Sequence, residues 1–520
     1  MSKKKIIATR GSDLALWQAN HIKLQLESFG IQCVLKTIQT QGDKIQHLNL
    51  EKLEGKGFFT KEIEDALLRN EADMAVHSFK DLPTESHPDL IVAALSERED
   101  PSELLIIRKE AVDEKRKFSL KLNATVGTSS SRRKSQMGAF RKDVSLKDLR
   151  GNVPTRIKKL ADAHYDAILI ASAGVERLDL DIRDFHVVKL DPKEFIPAPA
   201  QGVLAIQIRK SDKALFEQLQ VITSIETVRT VSIERQILNL FHGGCHAPVG
   251  AFVEFDEEKE LYRVRACKGT AWNDIPVSVF IESKNAATIA EKIVAKIENI
   301  KPATVFITRN LKQGDYFQHV LSSKGFQING RSLIEMIPLP IKYFPETDWV
   351  FFSSKHAVKF FFSQAPILGN QKFGCIGKAT AEAIRKYGKR ADFIGYSTDT
   401  RLTGKQFASR VGDGTVLFPQ AKGSLRSIQN GFVKDSQVID LSVYETLKKN
   451  DELIPRTEIV LFTSPSNVEA YFEKNKIAPD QKIIAMGEAT GNTIRKFSAV
   501  PFSIPDAFDD TGLVRAVFSV

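Results

Sequence analysis

The first forty residues pass from an apolar run to an amphipathic segment. Residues 6–9 form a short apolar run that predicts a strand, and the polar residues Arg10, Gly11 and Ser12 follow it. Apolar residues then recur every three or four positions, which predicts a helix with Ser12 or Asp13 as its cap. The residues on its expected buried face are Ala15, Ala19, Ile22, Leu26 and Phe29. A polar loop before a helix start favours a carboxylate or a phosphate, because backbone N–H groups there are unpaired.

The same order of elements returns later in the chain. Residues 124–127 predict a strand, residues 128–131 form a loop of hydroxyl side chains, and a helix begins near Arg132. Residues 61–78 and 155–172 also share a pattern of amphipathic helix, aspartate and apolar strand. We therefore expect two similar α/β domains whose loops face one another across a ligand-binding cleft.

Residues 217–300 have a different pattern. Strands are expected at 250–255 and 262–267, and a helix follows from Asn285. Its buried face is predicted to carry Ile289, Ile293, Ile297 and Ile300. The helix should end at Lys301 and Pro302, which we interpret as a domain boundary.

The last 220 residues contain an internal repeat. Residues 350–362 resemble 460–472, and residues 375–388 resemble 485–498, with a separation of 110 positions in both cases. A constant separation of two distinct motifs predicts two similar α/β lobes. The expected helix caps face a cleft between these lobes and are Ser353, Ser354, Thr463 and Ser464.

Composition and charge narrow the classes of function. The chain has 520 residues, of which 42% are hydrophobic and 27% charged, as in globular proteins of several domains. Its net charge of +10 is not clustered with aromatic residues, so we expect no nucleic-acid partner. The four cysteines form no CxxC pair, the first residues form no apolar signal segment, and apolar runs are too short for a membrane. These features predict a cytoplasmic protein without a membrane partner.

Two groups of charged residues are candidates for chemistry. Lys80 and Asp81 directly follow a predicted buried strand, where a carboxylate can move a proton or stabilise a cation. The alternative is a turn with two solvated charges. A second group falls at predicted loops or helix starts, and its forked guanidinium groups suit a polyanionic ligand, although scattered surface arginines are the alternative. Its members are Arg132, Arg133, Arg150, Arg156 and Arg177.

Cys245 lies in the sequence FHGGCHAPVG, where two glycines allow a tight turn that leaves the thiol accessible. This predicts a nucleophile or a point of covalent attachment, against the alternative of a small buried cysteine. His242 and His246 are close in sequence, but three candidate ligands in one loop do not make a convincing metal site, and we expect no metal.

Several segments resemble hydroxymethylbilane synthase, also called porphobilinogen deaminase, in the order of that family over the first 300 residues. They are IATRGSDLALWQ, GKGFFTKEIEDALL, DMAVHSFKDLP, SEREDP, VGTSSSRR, LRGNVPTR, YDAILIASAGVERL, PAPAQG and GGCHAPVG. Residues 301–520 resemble uroporphyrinogen-III synthase through TVFITR, the two repeated segments and VYET. The chain is thus similar to a fusion of two enzymes that act in succession.

This resemblance implies an α/β fold with a particular domain division. Two domains similar to periplasmic binding proteins are expected at 1–96 with 197–216 and at 97–196, followed by a small α+β domain at 217–300. Residues 301–520 are expected to form the synthase with its two similar lobes. The resemblance also implies a monomer that acts on the small molecules porphobilinogen and hydroxymethylbilane.

The resemblance further implies a covalent dipyrromethane cofactor on Cys245. Asp81 matches the catalytic aspartate of the family, and Lys80 stands beside it. The residues implied in gripping the acetate and propionate groups of the cofactor and substrate are Arg10, Ser12, Lys80, Ser130, Arg132, Arg133, Arg150, Arg156 and Arg177.

For the second enzyme, the resemblance implies ring closure of hydroxymethylbilane with inversion of the last pyrrole ring. Tyr444 matches a tyrosine that assists loss of the terminal hydroxyl, and packing between lobes is its alternative role. Residues implied at the substrate cleft are Thr308, Ser354, Thr463 and Ser464.

Two other classes of function remain open at this stage. One is an active deaminase with a noncatalytic C-terminal domain, which the isomer of the product distinguishes. The other is a non-enzymatic, two-lobed protein that binds organic anions, which accounts for paired domains and converging arginines but not for Cys245.

Overall fold

The computed structural model describes residues 4–40, 60–85, 87–242, 247–312, 314–396, 400–424, 426–449 and 453–520. The chain is a mixed α/β protein that forms two compact units. The first unit comprises Met1–Val305, Leu311–Ile328 and Phe502–Val520, and the second comprises Phe306–Asn310 and Asn329–Pro501. This division differs from the expected boundary at residue 301, because two segments from beyond it belong to the first unit.

The first sheet of the first unit has the strand order β2-β1-β3-β10-β4. Strand β1 is parallel to β2 and β3, whereas β10 is antiparallel to β3 and β4. The strands are β1 Lys5–Thr9, β2 Cys33–Thr37, β3 Met74–Ser78, β4 Leu90–Leu95 and β10 Leu204–Arg209. Helices α1 Asp13–Ser28 and α2 Lys61–Leu68 bury Ile22 and Ile63 in this part of the core. Residues 204–209 return to the first sheet and lie between β3 and β4.

Helix α1 starts where the sequence predicts, since Ser12 is its N-cap and accepts a hydrogen bond from the Ala15 amide at 3.4 Å. Its last predicted core residue is wrong. Phe29 is the C-cap and is 58% exposed. The helix stops at Ser28 because Gly30, with φ of 83°, turns the chain in a conformation that glycine adopts without strain.

The second sheet has the order β7-β6-β8-β5-β9. Its strands are β5 Glu103–Ile107, β6 Thr125–Gly127, β7 Ser145–Lys147, β8 Ala167–Ala171 and β9 His186–Leu190. The helices are α3 Ser131–Phe140, α4 Val153–Ala161 and α5 Ser172–Glu176. Strands β6, β7 and β8 are parallel, and β5 is antiparallel to both of its neighbours. The strand, hydroxyl loop and helix start predicted near residue 130 are confirmed.

The third sheet is an antiparallel meander of β11 Val249–Asp256, β12 Leu261–Lys268 and β13 Val277–Ser283. Helix α6 Lys213–Leu219 precedes it, and α7 Ile225–Leu240 and α8 Ile289–Glu298 pack against it. Register pairs Ala251, Ala266 and Val279 across the three strands, and all three side chains are buried. The opposite face carries the paired residues Phe252, Arg265 and Phe280.

The chain crosses between the first two sheets twice, and the two crossing segments touch closely. The Glu99 amide donates to the Gly202 carbonyl at 3.0 Å. Gly202 has φ of 89°, and a Cβ there would lie 2.4 Å from the Glu99 carbonyl oxygen. Glycine is therefore required at this position, both for its backbone conformation and for the close approach.

In the second unit, the sheet of the larger lobe has the order β16-β21-β20-β17-β18-β19. Its strands are β16 Ile334–Pro338, β17 Trp349–Phe352, β18 Lys372–Cys375, β19 Phe393–Ile394, β20 Val416–Ala421 and β21 Val438–Lys448. Helices α10 Lys355–Phe362, α11 Lys378–Arg385 and α12 Thr400–Val411 accompany it. Phenylalanines dominate its core, with Phe351, Phe352 and Phe361 fully buried.

The repeat predicted from sequence is confirmed in the second unit. The parallel strands β22 Ile459–Phe462 and β23 Lys482–Ala485 lie 110 positions after β17 and β18. Helices α13 Pro465–Phe472 and α14 Glu488–Ile494 begin 110 positions after α10 and α11. Ser354 and Ser464 are N-caps of α10 and α13, and each accepts a hydrogen bond from a backbone amide three residues later.

Two further helices and three further strands lie in the described residues. They are α9 Tyr316–Ser323, α15 Asp510–Ser519, β14 Thr304–Ile307, β15 Gln327–Gly330 and β24 Phe502–Ser503. In the described part of the chain, none of the helices combines the length and the apolar character needed to cross a bilayer.

Candidate active site

The pair Lys80 and Asp81 lies at the carboxyl end of β3, on a single 3-10 turn from Phe79 to Asp81. Strand β3 is buried, as predicted, and Asp81 is exposed. The Lys80 ammonium donates to Gln201 Oε1 at 3.2 Å, and Gln201 Nε2 donates to the Pro101 carbonyl at 2.8 Å. Gln201 therefore ties Lys80 to both segments that cross between the first two sheets.

Burial, together with the positive charges of Arg133 and Arg132, lowers the pKa of Lys80 to about 8 against the opposing effects of Asp81 and Glu103. A lysine with a pKa near neutrality has a charge that its surroundings barely stabilise. An anionic ligand placed here would gain from this excess of positive charge.

Arg132 and Arg133 begin helix α3 and share one buried carboxylate, that of Glu103 on strand β5. One guanidinium nitrogen of Arg132 lies 2.6 Å from Glu103 Oε1, and one of Arg133 lies 2.6 Å from Oε2. Arg132 also donates to the Ile196 carbonyl at 2.8 Å, and Arg133 to the Leu169 carbonyl at 3.1 Å. Both side chains are thus fixed by the protein itself.

The Glu103 carboxyl is fully buried, which alone would raise its pKa. Arg133 and Arg132 outweigh this effect and lower the pKa to about 2. Glu103 therefore remains ionised and orients the two arginines. The sequence analysis missed it, although a single acidic residue opening the apolar strand Glu-Leu-Leu-Ile-Ile was a usable signal.

Arg156 belongs to the same electrostatic cluster. Burial and the neighbouring Arg133 lower its pKa to about 10, while Asp81 opposes this shift. Its Nε donates to the Gly151 carbonyl at 2.8 Å, so the turn before α4 orients the guanidinium. The structure thus brings Asp81, Lys80, Arg133 and Arg156 within electrostatic reach of one another.

The hydroxyl and remaining arginine candidates occupy the predicted loop positions. Ser12 caps α1, and Ser130 caps α3 by accepting a hydrogen bond from the Arg133 amide at 3.4 Å. Arg10 follows β1 and adds to the effect of burial, which lowers the pKa of His77 to about 4. Arg150 is half-buried between β7 and α4.

Arg177 has a different environment from the other arginines. Its Nε donates to Glu99 Oε2 at 2.8 Å, and its guanidinium lies 5.7 Å from the centre of the Trp17 ring. These contacts join α1 to a crossing segment. In this structure Arg177 therefore stabilises the junction of the first two sheets.

Cys245 lies outside the described residues. Residues on both sides of that loop line a cavity of about 480 Å³, among them Phe241, Ala247, Lys268 and Trp272. Ser131 at the start of α3 also lines it. The cavity therefore adjoins the arginine-bearing end of that helix.

The described residues suit a bound group with several carboxylates. The Nε of Arg133 is buried, and among the described residues it has no hydrogen-bond partner. Mutual repulsion with other cations also contributes to the low pKa values of Lys80 and Arg156. A buried donor without a partner and an excess of positive charge both favour the binding of a polyanion.

In the second unit, Thr308 and Thr463 form hydrogen bonds with each other. The Thr463 amide donates to Thr308 Oγ1 at 2.9 Å, and the Thr463 hydroxyl donates to the Thr308 carbonyl at 2.9 Å. Ser464 accepts a hydrogen bond from Asn467 Nδ2 at 3.0 Å in addition to capping α13. These groups are organised chiefly by contacts with one another.

Tyr444 lies on β21 and is only 9% exposed. Its ring stacks on Phe360, with ring centres 5.0 Å apart. Tyr444 therefore packs within the core of the larger lobe, whereas packing between the lobes and the chemical role of the hydroxyl stay predictions.

Comparison with known proteins identifies both halves. Residues 6–217 match the family described as porphobilinogen deaminase, dipyromethane cofactor binding domain. Porphobilinogen deaminase of Sulfurimonas denitrificans is 44% identical over 254 residues, which are 48% of this chain and 78% of the relative. That of Xanthomonas campestris is 43% identical and matches over 82% of its length. The chain belongs to the porphobilinogen deaminase family.

The second half matches another family. Residues 315–515 match the family described as uroporphyrinogen-III synthase HemD. The uroporphyrinogen-III synthase structure from Helicobacter pylori has a TM-score of 0.33 and 16% identity, and the match covers 41% of this chain and 97% of that one. The two family matches confirm the predicted fusion, the two enzyme activities and the dipyrromethane cofactor.

Proposed function

We propose that the cluster around Asp81 is the catalytic centre of the deaminase half of this bifunctional enzyme. The chain carries the two enzyme domains that convert porphobilinogen to uroporphyrinogen III in succession. The observation that carries the assignment is the electrostatic coupling of the exposed Asp81 carboxylate to Lys80 and Arg156. A carboxylate among ligand-binding cations combines charge stabilisation with anion binding.

The cationic residues bind and orient the acidic side chains of the pyrroles. Arg133 offers its buried Nε, while Glu103 holds the guanidinium in place. Arg156 and Lys80 supply further positive charge. Arg10, Arg132, Arg150 and Arg177, with Ser12 and Ser130, complete the proposed binding set. Guanidinium groups suit this task because they form paired hydrogen bonds to carboxylates.

Asp81 carries the acid–base part of the reaction. When bound, the dipyrromethane supplies the terminal pyrrole to which each new unit is joined. The Asp81 carboxylate accepts hydrogen bonds from pyrrole N–H groups and stabilises the positive charge that develops on nitrogen. Ammonia leaves the aminomethyl carbon of the incoming unit as its C–N bond breaks, the terminal pyrrole carbon bonds to that carbon, and Asp81 takes the proton which the terminal pyrrole carbon then loses. Lys80 binds a carboxylate of the incoming pyrrole beside it.

The decisive experiment is Asp81→Asn, which keeps the size of the side chain and removes its charge. Deaminase turnover should fall by about 100-fold or more, the usual contribution of a general acid or base. Asp89→Asn is the matched control, because Asp89 lies on the same connection and pairs only with His87 at 3.7 Å among the described ion pairs. Equal activity of the two variants would contradict the role of Asp81.

The attachment site needs a separate test. Intact mass of the purified chain should exceed the sequence mass by two pyrrole units, and the excess should vanish in Cys245→Ser. Wild-type protein without the excess should gain it after incubation with porphobilinogen. A Cys245→Ser protein that still gains the mass would place the attachment elsewhere.

The second half closes the linear tetrapyrrole, and we propose that the shape of its cleft matters more than any single side chain. The pairing of Thr308 with Thr463 supports this, because both hydroxyls are already engaged within the protein. Ser354, Ser464 and Tyr444 complete the proposed cleft. The isomer ratio of uroporphyrinogen formed from porphobilinogen tests the activity, since a noncatalytic domain would leave only spontaneous closure.

We also propose the domain division that the resemblance implies. Two periplasmic-binding-protein-like domains at 1–96 with 197–216 and at 97–196 are supported by the first two sheets, and a small α+β domain at 217–300 by the third. The repeat supports two lobes within 301–520. Free, buried Cys33, Cys267 and Cys375 support a reducing, cytoplasmic location.

A further inference from the structure

Helix α15 is buried on every side, unlike its counterpart in the repeat. It begins 110 positions after α12. In α12 only Thr403, Gly404 and Phe407 are buried, as in a helix that packs on one face. In α15 every residue from Thr511 to Phe518 is buried. A helix buried on all sides has a second packing partner.

Part of that partner is the third sheet of the first unit. Asp506, just before α15, accepts two hydrogen bonds from Arg515, both at 2.9 Å, and one from Arg265 Nε of strand β12 at 2.7 Å. Arg265 also donates to Glu254 of β11 at 2.7 Å. The Asp506 and Arg515 side chains are each 1% exposed. Two arginines and two carboxylates therefore form a network in which Arg265, Asp506 and Arg515 are buried, while Glu254 is partly exposed and also pairs with Lys193 at 3.0 Å.

Further contacts extend this junction along the sheet. Lys296 of α8 donates to the Ser519 carbonyl, and the Ser519 hydroxyl donates to the Phe280 carbonyl of β13 at 3.4 Å. Lys324, after α9, pairs with Asp274 at 2.8 Å. Both chain segments that lie beyond residue 305 in the first unit thus bind the third sheet and its surroundings.

The same segments also reach the second sheet. The Tyr316 ring of α9 stacks on Phe140 at the end of α3, with ring centres 4.6 Å apart. Phe140 stacks in turn on Phe195 in the core of that sheet. Phe326 and Phe518 meet edge to face with ring centres 5.7 Å apart, which joins the two segments to each other.

We infer that residues 311–312, 314–328 and 502–520, the brace, overlap the segment that matches the synthase family but pack on the deaminase half and hold its third sheet against helix α3. The inference rests on the proposed function for its consequence in catalysis. Helix α3 presents Arg132 and Arg133, and the third sheet follows the loop that carries Cys245. The brace therefore fixes the position of the third sheet relative to the arginines. The deaminase half needs residues from the far end of the chain.

The charge network makes the brace indispensable to the third sheet. Without Asp506, Arg265 would keep only Glu254 in a buried position, and Arg515 would lose both of its hydrogen bonds. An unbalanced buried guanidinium strongly destabilises the folded state.

The test uses the full chain with Asp506→Asn, and Asp480→Asn as the matched control. Asp480 pairs with Arg456 through two hydrogen bonds of 2.6 and 2.5 Å, but on an exposed surface of the second unit. Amide hydrogen exchange in β12, β13 and α3 should accelerate by about tenfold or more in Asp506→Asn and stay unchanged in the control. The melting temperature should fall by about 5 °C or more only in Asp506→Asn.

Deaminase turnover and cofactor mass separate this inference from the proposed function. Accelerated exchange with reduced turnover, while the cofactor remains attached, is the expected result. Unchanged amide exchange in β12, β13 and α3 would contradict the inferred role of the brace, whether or not turnover changes. Failure of Asp81→Asn to lose turnover would instead contradict the catalytic assignment and leave the exchange result intact.

A second variant covers the case in which Asp506→Asn does not fold. Tyr316→Leu removes the stack on Phe140 without burying a charge, and Tyr343→Leu is its control, because Tyr343 is 71% exposed. Exchange should accelerate at the end of α3 by about threefold or more in Tyr316→Leu alone. Equal amide exchange at the end of α3 in the two tyrosine variants would show that helix α9 does not contribute to the brace.

Discussion

The two candidate sites of this enzyme differ in what their polar groups do before a substrate arrives. Around Asp81, burial and the neighbouring cations lower the pKa values of Lys80 and Arg156 to about 8 and about 10. Around Thr308, the hydroxyls and amides are already paired with one another. The first site holds an excess of positive charge that a bound anion would neutralise, whereas the polar groups of the second site are already hydrogen-bonded within the protein.

This difference matches what each half has to accomplish. The deaminase half must retain a chain whose carboxylates increase in number with each added unit, which requires positive charge fixed in position. The synthase half receives a finished molecule and must fold it into one of two ring closures. That task depends on the shape of the cleft, so single polar substitutions should weigh far more heavily in the first site than in the second.

The largest effect is expected from Glu103→Gln, which leaves Arg132 and Arg133 buried without their shared carboxylate. The free energy of unfolding should fall by about 3–5 kcal/mol, and deaminase turnover should fall with it. Asp181→Asn is the control, since its pair with Arg183 lies on the surface and should contribute little to stability. Equal denaturant midpoints for the two variants would dismiss Glu103 as the residue that positions the arginines.

Glu103 also predicts a loss of stability in acid. Its folded pKa of about 2 lies below the ordinary value of 4.5, so its contribution is present above pH 4.5 and is lost as pH falls towards 2. The unfolding free energy of the wild type should therefore decline across this window more steeply than that of Glu103→Gln. Parallel profiles would show that the carboxylate is not ionised in the fold.

An intermediate effect is expected from the titration of Lys80. Its charge is lost as pH rises through about 8, so carboxylate binding and kcat/KM of the deaminase should decline above that pH. Lys80→Gln should have a lower rate without this alkaline limb. Lys36→Gln, which alters an exposed lysine paired with Glu71, should keep the wild-type profile. If the alkaline decline of kcat/KM persists in Lys80→Gln, the titration of another group causes it.

The smallest effects are expected in the synthase cleft. Thr308→Val removes the hydroxyl that pairs with Thr463 and should lower the unfolding free energy by about 1 kcal/mol. Tyr444→Phe keeps the ring on Phe360. It should reduce formation of the type III isomer by less than the ~100-fold loss of an acid catalyst. A larger loss of type III isomer in Tyr444→Phe would support the chemical role of the hydroxyl. It would also weaken the contrast between the two sites.

Local patterns in the sequence predicted much of the fold. The strand, polar loop and capped helix at Ser12 and at Ser130 follow from short-range periodicity and capping chemistry. The repeat of 110 positions predicted matching strands and helices in the second half. Asp81 was placed correctly at the end of a buried strand because that strand is a short apolar run.

What the sequence could not supply depends on residues far apart in the chain. Glu103 lies about thirty positions before the arginines that it orients, and Gln201 is 121 positions from Lys80. Neither partner has a local signature, because a salt bridge depends on where two elements meet and not on the sequence around either one. Arg265 and Asp506 are 241 positions apart for the same reason.

The sequence by itself determined the two enzyme families, the elements and the chemical types of the candidate residues, since motifs and periodicity are local properties. Tertiary structure decided which arginines are held internally, which hydroxyls are already satisfied, and to which unit the last helix belongs. These outcomes depend on burial, which makes a charge expensive unless a partner from another element meets it. Helix α15 repeats the position of α12, yet only packing makes it part of the first unit.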